Sequence, residues 1–536
     1  MITVTCFGGA QSVTGSQYLI ENSQGGKALL DCGLFQGGSE MDRRNWEDWG
    51  YDPAEINSLI LTHAHIDHSG RIPKLVKDGF RGRIITSPPT AELCQIMLLD
   101  SAHVQEMDSQ WKTRKNRRQG KEGVEPLYTT EDAETSLRYF DPVERDRIID
   151  IEPGIRIRLR NAGHVLGSSI VEMWMADGGS ETKIVFSGDL GKQNQLIVKD
   201  PYEVLDADYL FMESTYGNRL HRTFDDSKAE LREAILHAVS NNEKVIIPAF
   251  ALERTQEILY LLGEFSRAGT LPGIPIYVDS PLAIRATEIF RKNKKYYDDE
   301  ARAIVEQGFD PFDMPNLRFT LTTEESMKIN EKEGPAIIIS ASGMCNAGRI
   351  KHHLKHNLWR PGASIIFAGF QAQGTTGRKI VDGAKTVKIF RENVAVRAKV
   401  YTIGGFSAHA DRDDLLEWLG HFTEKSSPRV FVIHGEPTAS YAFAQTARER
   451  YSLDVSVPRW REVLRLEPKA EIPGVFPEEA IPVDAREHVL AMISDVEAQL
   501  GRFRDLISTD GKASISEDDV ERLKDLRDEL QSLVAG

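Results

Sequence analysis

The sequence predicts an α/β protein in which one β-rich domain is interrupted by an inserted strand-helix domain. Three observations predict it. Residues 1–204 alternate short β-rich runs with turns, residues 205–395 alternate buried strands with helices, and the first style returns over 396–468. Strand-helix alternation favours a parallel sheet with crossover helices. A chain of 536 residues is too long for a single core, and an interrupted domain accounts for the recurrence better than three domains in a row.

The elements follow in order. The first part carries ITVTCFGG, YLIE, ALLDCG, SLILT, RIITS, IRIRLRNAG, IVEMWMA and KIVFSGD. Many of these apolar runs close on a polar or glycine-containing turn, where α/β folds place their chemistry. The insert carries YLFMES, KVIIPAF, PIYVDS, AIIISAS and SIIFAGF, separated by helical stretches such as ERTQEILYLLGEFSRAG. VRAKVYTIGG and RVFVIHGE open the returning part. Residues 469–536 are strand-poor. There Val489, Ile493, Val496, Leu500, Phe503 and Ile507 share one helix face, and Leu523, Leu526, Leu530 and Leu533 form a second stripe, so a helical hairpin is expected.

Composition excludes several classes. Hydrophobic residues at 40% and charged residues at 27% are ordinary for a soluble globular chain. No apolar run approaches the roughly 20 residues of a membrane helix, and the start shows no secretory pattern. Cys6, Cys32, Cys94 and Cys345 have no paired spacing and read as reduced thiols, which makes the cytoplasm the expected location. A net charge of −15 argues against a protein that coats nucleic acid. A nuclease needs only a local basic groove. The run Lys112, Arg114, Lys115, Arg117, Arg118 and Lys121 is one candidate, although a solvated loop is the plainer reading of it.

The strongest local signal is His63-Ala64-His65-Ile66-Asp67-His68, directly after the apolar run SLILT. Imidazole nitrogen and carboxylate oxygen are the ligands that catalytic zinc takes. In a loop, His63 and His65 can face one ion while Asp67 and His68 turn toward a second. Two more segments place ligand types at strand ends, His164 in RNAGHVLGSS and Asp189 in IVFSGDLG. They add a third histidine for one metal and a carboxylate able to bridge two.

With these motifs in hand, the sequence resembles the metallo-β-lactamase superfamily, whose fold is a four-layered αββα sandwich. HAHIDH matches its HxHxDH signature, and Asp31 in LLDCG, His164 and Asp189 match its other motifs in order. The insert resembles a β-CASP domain, with Glu213 in MESTYG, His409 in GGFSAHAD and His434 in FVIHGE at its three motifs. IPAFALERTQE, ISASGMCNAGR and FAGFQAQGTTGR resemble the prokaryotic relatives of the cleavage and polyadenylation nuclease subunit. The resemblance implies a zinc-dependent ribonuclease acting on single-stranded RNA, cutting internally, from the 5′ end, or both. It implies two Zn²⁺ per chain, one on His63, His65 and His164, the other on Asp67, His68 and His434, with Asp189 bridging. Asp31 would accept an imidazole N–H, and His409 beside Glu213 would protonate the leaving oxygen. RNA over DNA rests on a histidine at position 434. The family is often dimeric, which makes the 469–536 segment a candidate homodimer contact.

Small-residue loops after strands can present backbone N–H groups to phosphates. Ser214, Thr215, Ser342, Gly343, Gly348, Arg349, Gly374, Thr375, Gly377 and Arg378 sit in such loops, Ser407 lies beside His409, and Arg254 is a lesser candidate. Two other readings stay open. A thioesterase or lactonase of the same fold would have no use for the insert or for His409. An inert nucleic-acid scaffold would have lost ligands, whereas all seven are present.

Overall fold

The computed structural model describes residues 1–467, apart from residues 178, 370, 372, 373 and 424. The helical hairpin expected over 469–536 lies outside the described residues. The chain divides into two compact units, and the first, Met1–Lys469, holds everything described below.

Two seven-stranded sheets form the centre of an αββα sandwich. One runs 463–466, 2–8, 17–21, 27–30, 58–60, 83–86 and 140–142; the other runs 455–456, 429–433, 209–213, 180–186, 169–177, 155–161 and 148–152. Alternating residues of both sheets, among them Val4, Ile20, Leu30, Ile60, Ile157, Met173, Ile184 and Phe211, close one apolar layer between them. Helices Arg412–Thr423 and Pro437–Tyr451 cover the outer face of the second sheet through Leu415, Leu419, Phe443 and Ala447. A third, all-parallel sheet of six strands (317–319, 276–278, 337–340, 245–248, 364–367, 399–402) forms the inserted domain. Its four inner strands are buried along their whole length because helices cover both faces, whereas the edge strands expose Arg318 and Lys399.

Two strands fall on the other side of the expected boundaries. Tyr209–Glu213, inside 205–395, pairs with the second sandwich sheet, and Lys399–Thr402, inside 396–468, pairs with the third sheet. Both are short apolar runs, and such runs do not encode which parallel sheet they join. The cationic run is also not a loop: Lys112 to Arg117 end a 30-residue helix, Pro88–Arg117. That helix has no clean apolar stripe, so periodicity does not announce it.

Register positions the chemistry. Phe186 pairs with Phe211, and Phe211 with Phe431, across three parallel strands. Their rings stack at 4.5 and 4.8 Å, each pair contributing about 0.5–1.5 kcal/mol beyond simple burial. The strands so aligned end on or just before Asp189, Glu213 and His434. In the first sheet Leu30 pairs with Ile60, which brings Asp31 beside Thr62 and His63. The site therefore stands at the carboxyl ends of parallel strands.

Candidate metal centre

The HAHIDH segment leaves its strand as a turn and enters the short helix Ile66–Ser69, with His65 at its N-cap. The turn presents His63 and His65; the helix presents Asp67 and His68. Behind it lies the loop of LLDCG, so close that a Cβ on Gly33 would sit 1.6 Å from the Asp67 carbonyl oxygen. Only glycine fits there. Asp31 and His434 both hold left-handed backbone, with φ of 56° and 47°, a strain of about 1–3 kcal/mol each that the surrounding structure must offset.

Two donor groups meet at Asp189. His65 Nδ1 lies 3.1 Å from both His63 Nε2 and His164 Nε2, and Asp189 Oδ2 lies 3.5 and 3.7 Å from the latter two. On the other side, Asp189 Oδ1 is 3.3 Å from His68 Nε2 and 3.5 Å from His434 Nε2, and His434 Nε2 is 3.8 Å from Asp67 Oδ2. Nearly all these side chains are buried. Burial drives the pKa of His63 and His164 well below the ordinary imidazole range and that of His65 to about 4. Three neutral rings thus aim nitrogens at one point.

The donor set fits a divalent cation. Tetrahedral zinc with ligands at about 2.0–2.1 Å separates neighbouring donors by about 3.3 Å, close to the spacings here. Although 3.3 Å apart, buried His68 Nε2 and Asp189 Oδ1 have no hydrogen bond of good geometry among the described residues, a costly arrangement for polar atoms unless a cation takes their lone pairs. Although burial opposes charge on Asp189, the surrounding imidazoles, His434 and His68 first, hold its pKa well below the usual carboxylate range.

The chain matches the Metallo-beta-lactamase superfamily over residues 12–249, the Beta-Casp domain over 255–380, and the Zn-dependent metallo-hydrolase RNA specificity domain over 393–458. Ribonuclease TTHA0252 of Thermus thermophilus is 38% identical to it across 85% of this chain and 98% of that relative. The chain belongs to the β-CASP branch of the metallo-β-lactamase superfamily. It is a metal-dependent hydrolase. Transcription termination factors FttA of Methanosarcina mazei and Methanocaldococcus jannaschii are 29% and 30% identical, each across 87% of this chain and 72% of the relative.

Around the donor groups of this β-CASP hydrolase lie the carboxylate and histidine of motifs A and B. Asp31 Oδ2 accepts from His68 Nδ1 at 2.7 Å, while Asp31 Oδ1 accepts from the Thr62 N–H at 2.8 Å. His409 Nδ1 stands 3.4 Å from Glu213 Oε1 and 3.9 Å from Asp189 Oδ2. Glu213 is fixed in turn by the Leu190 N–H, which donates to Oε1 at 2.6 Å. The motif B segment is pinned to the Asp189 strand end, since Ala410 N–H donates to the Leu190 carbonyl at 2.8 Å. Burial opposes charge on His409, but the carboxylates around it, Glu213 first and then Asp189 and Asp67, together raise the pKa.

Several expected phosphate contacts are already committed. Arg254 is buried between Glu257, at 2.6 Å, and Glu253, at 3.4 Å. Ser214 is buried, its hydroxyl donating to the Ile433 carbonyl. Arg349 grips Asp279 and the Thr320 and Leu321 carbonyls, and Arg378 pairs with Asp382. Arg254, Ser214 and Arg349 are spent on contacts within the fold, whereas Arg378 and Asp382 form a surface pair; sequence shows a polar residue in a loop, not what it already binds. Thr215 lies next to the centre, donating to the His434 carbonyl at 3.2 Å. Ser407, also buried, bonds to Tyr216. Ser342, Gly343, Gly348, Gly374, Thr375 and Gly377 cluster as the Ser342–Ala347 turn and the Thr375 cap of helix Thr376–Val381, joined where the Gly377 N–H donates to the Met344 carbonyl. Sequence reading missed Thr62, which ties Asp31 to the His63 strand, and His221, whose Nε2 donates to the His409 carbonyl at 3.0 Å. His221 sits in no recognisable motif, and nothing in its neighbours signals it.

Proposed function

We propose that this hydrolase cleaves phosphodiester bonds of single-stranded RNA with two zinc ions per chain. His63, His65 and His164 would hold one ion and Asp67, His68 and His434 the other, with Asp189 able to serve both. When bound, a zinc pair supplies Lewis acidity and lowers the pKa of water, so that attacking and leaving oxygens of an in-line displacement are both stabilised. Asp31 keeps the proton of His68 on Nδ1 and so leaves Nε2 as a lone pair. Glu213 plays a different part for His409: it accepts from Nδ1–H and favours the doubly protonated ring, whose Nε2–H is the proton available to the departing 3′ oxygen. The expected products carry a 5′ phosphate and a 3′ hydroxyl.

The observation that carries this reading is the convergence of two donor groups on the two oxygens of Asp189, with the His409–Glu213 pair beside them. End-labelled RNA incubated with the zinc-loaded protein is expected to be cut, to survive when zinc is chelated, and to be cut again on readdition. Hydrolysis of thioesters or lactones with intact RNA left behind would overturn the proposal.

A further inference from the structure

The long helix Pro88–Arg117 begins at the metal centre. Its cap Ser87 and its Thr90 both donate to the Gly167 carbonyl, three residues after His164. The helix then runs outward, and by a rise of about 1.5 Å per residue Trp111 lies about 35 Å from its start. At that distal end Lys112, Arg114, Lys115, Arg117, Arg118 and Lys121 are all exposed, with no acidic residue among positions 109–121. None of the six forms an ion pair among the described residues, although the chain as a whole carries a net charge of −15. The tip is ordered: Thr113 and Val124 exchange hydrogen bonds, and Asn116 holds the Glu122 carbonyl. Val104, Met107 and Trp111 recur at helical spacing and are 48%, 51% and 52% exposed, and Lys115 Nζ stands 5.5 Å from the Trp111 ring.

We infer that this arm is an auxiliary binding site for single-stranded RNA, with its cations on phosphates and Trp111 stacking on a base. The inference rests on the nuclease reading and extends it from the scissile phosphate to RNA beyond the cleft. Unpaired cations in an otherwise acidic protein select an anionic partner. A half-exposed indole at the edge of the cationic run, with Lys115 beside its ring, adds the flat platform that single strands use irrespective of sequence. A strand stacked at about 3.4 Å per nucleotide spans the distance to the metal centre in about ten nucleotides. Substrates of that length or more would engage both sites at once.

The test measures affinity by fluorescence anisotropy, in full-length protein made cleavage-dead by His65→Ala, for labelled oligouridylate of about 20 nucleotides. Replacing Arg114, Lys115, Arg117 and Arg118 together by Ala should weaken binding about 10- to 100-fold near 0.1 M salt and reduce the slope of log K against log salt by about 3. Trp111→Ala alone should cost about 5-fold or more. The charge-keeping variant Arg114→Lys, Arg117→Lys, Arg118→Lys should retain most of the affinity, which separates a lost contact from a lost fold. Unchanged affinity and salt slope in the alanine variant would overturn the inference. So would a change in oligomeric state with RNA affinity intact, because the face would then bind protein. Binding is read without cleavage, so a wild-type chain that fails to cut RNA refutes the nuclease reading alone.

Discussion

Asp31→Asn isolates the electrostatic half of the proposed two-metal site. Asparagine matches aspartate in shape and tolerates the left-handed backbone at this position, where φ is 56°, so the substitution changes charge and acceptor capacity and little else. Asp31 Oδ1 is held by the Thr62 N–H at 2.8 Å, which favours the amide oxygen there and turns the amide N–H group toward His68 Nδ1. That nitrogen must then accept, and the proton moves to His68 Nε2, where it blocks the lone pair facing Asp189. A hydrogen bond to a charged partner is worth about 1.5–3 kcal/mol. Since 1.4 kcal/mol is tenfold, the affinity of the ion on Asp67, His68 and His434 should fall about 10- to 100-fold, the usual scale for such outer residues. The ion on His63, His65 and His164 should be held nearly as before. Zinc titration against a chromophoric chelator would resolve the two affinities, with a thermal melt to confirm folding. Equal losses at both ions, or none at either, would refute the assignment of Asp31 to one side of the site.

Further expectations concern the acid, the fold and the assembly. His409→Ala should retain both zinc ions by elemental analysis yet lower kcat by about 10²–10⁴-fold, with a smaller deficit on an activated aryl phosphodiester; an equal loss on both substrates would remove the proton-donor role. Single-stranded RNA should be cut faster than DNA of the same sequence, a comparison made by gel assay on matched oligonucleotides. Asp279 is buried and, although burial opposes its charge, His353, Ser326, Thr320 and Arg349 hold its pKa at about 2. The stability it contributes is therefore complete above its unfolded-state pKa near 4 and is lost as pH falls through about 2. Asp279→Asn should destabilise the protein by about 3 kcal/mol or more near neutrality, because it leaves Arg349 and His353 facing no charge, and calorimetry should show a shallower acid limb. Deleting residues 480–536 should convert a dimer to a monomer in light scattering while sparing activity on short RNA; a truncated dimer would assign that segment another role.

The fold was legible where local pattern and global architecture agree. Each of the eight β-rich runs of the first part forms a strand, because apolar runs closed by turns have few other ways to bury themselves. Strands Phe140–Pro142, Ile148–Glu152 and Val463–Leu466 were not foreseen. All three lie at sheet edges, where half-exposed residues blur the alternation. The convergence of metal-ligand donor types was legible for a different reason. Four ligand-type residues in HAHIDH follow a strand directly, so their proximity is local, and the remote His164, Asp189 and His434 each stand just past another strand of the sandwich.

Contacts to substrate were far less legible, and the cause is physical. A metal ligand is defined by its donor atom, which sequence displays, whereas a phosphate contact is defined by a donor left unspent, which sequence does not display. Arg254, Arg349 and Arg378 all sit in glycine- or serine-rich surroundings that suggest anion binding, yet each guanidinium faces a carboxylate of its own domain. The cations at the tip of the Pro88–Arg117 helix show the reverse. Their local sequence suggests only a solvated loop, but the fold carries them to a helix tip where none of them forms an ion pair among the described residues. A cation is available to RNA when tertiary structure withholds its counter-charge. That property belongs to the arrangement of elements, which is why the least distinctive basic run in the chain carries the clearest signature of a nucleic-acid contact.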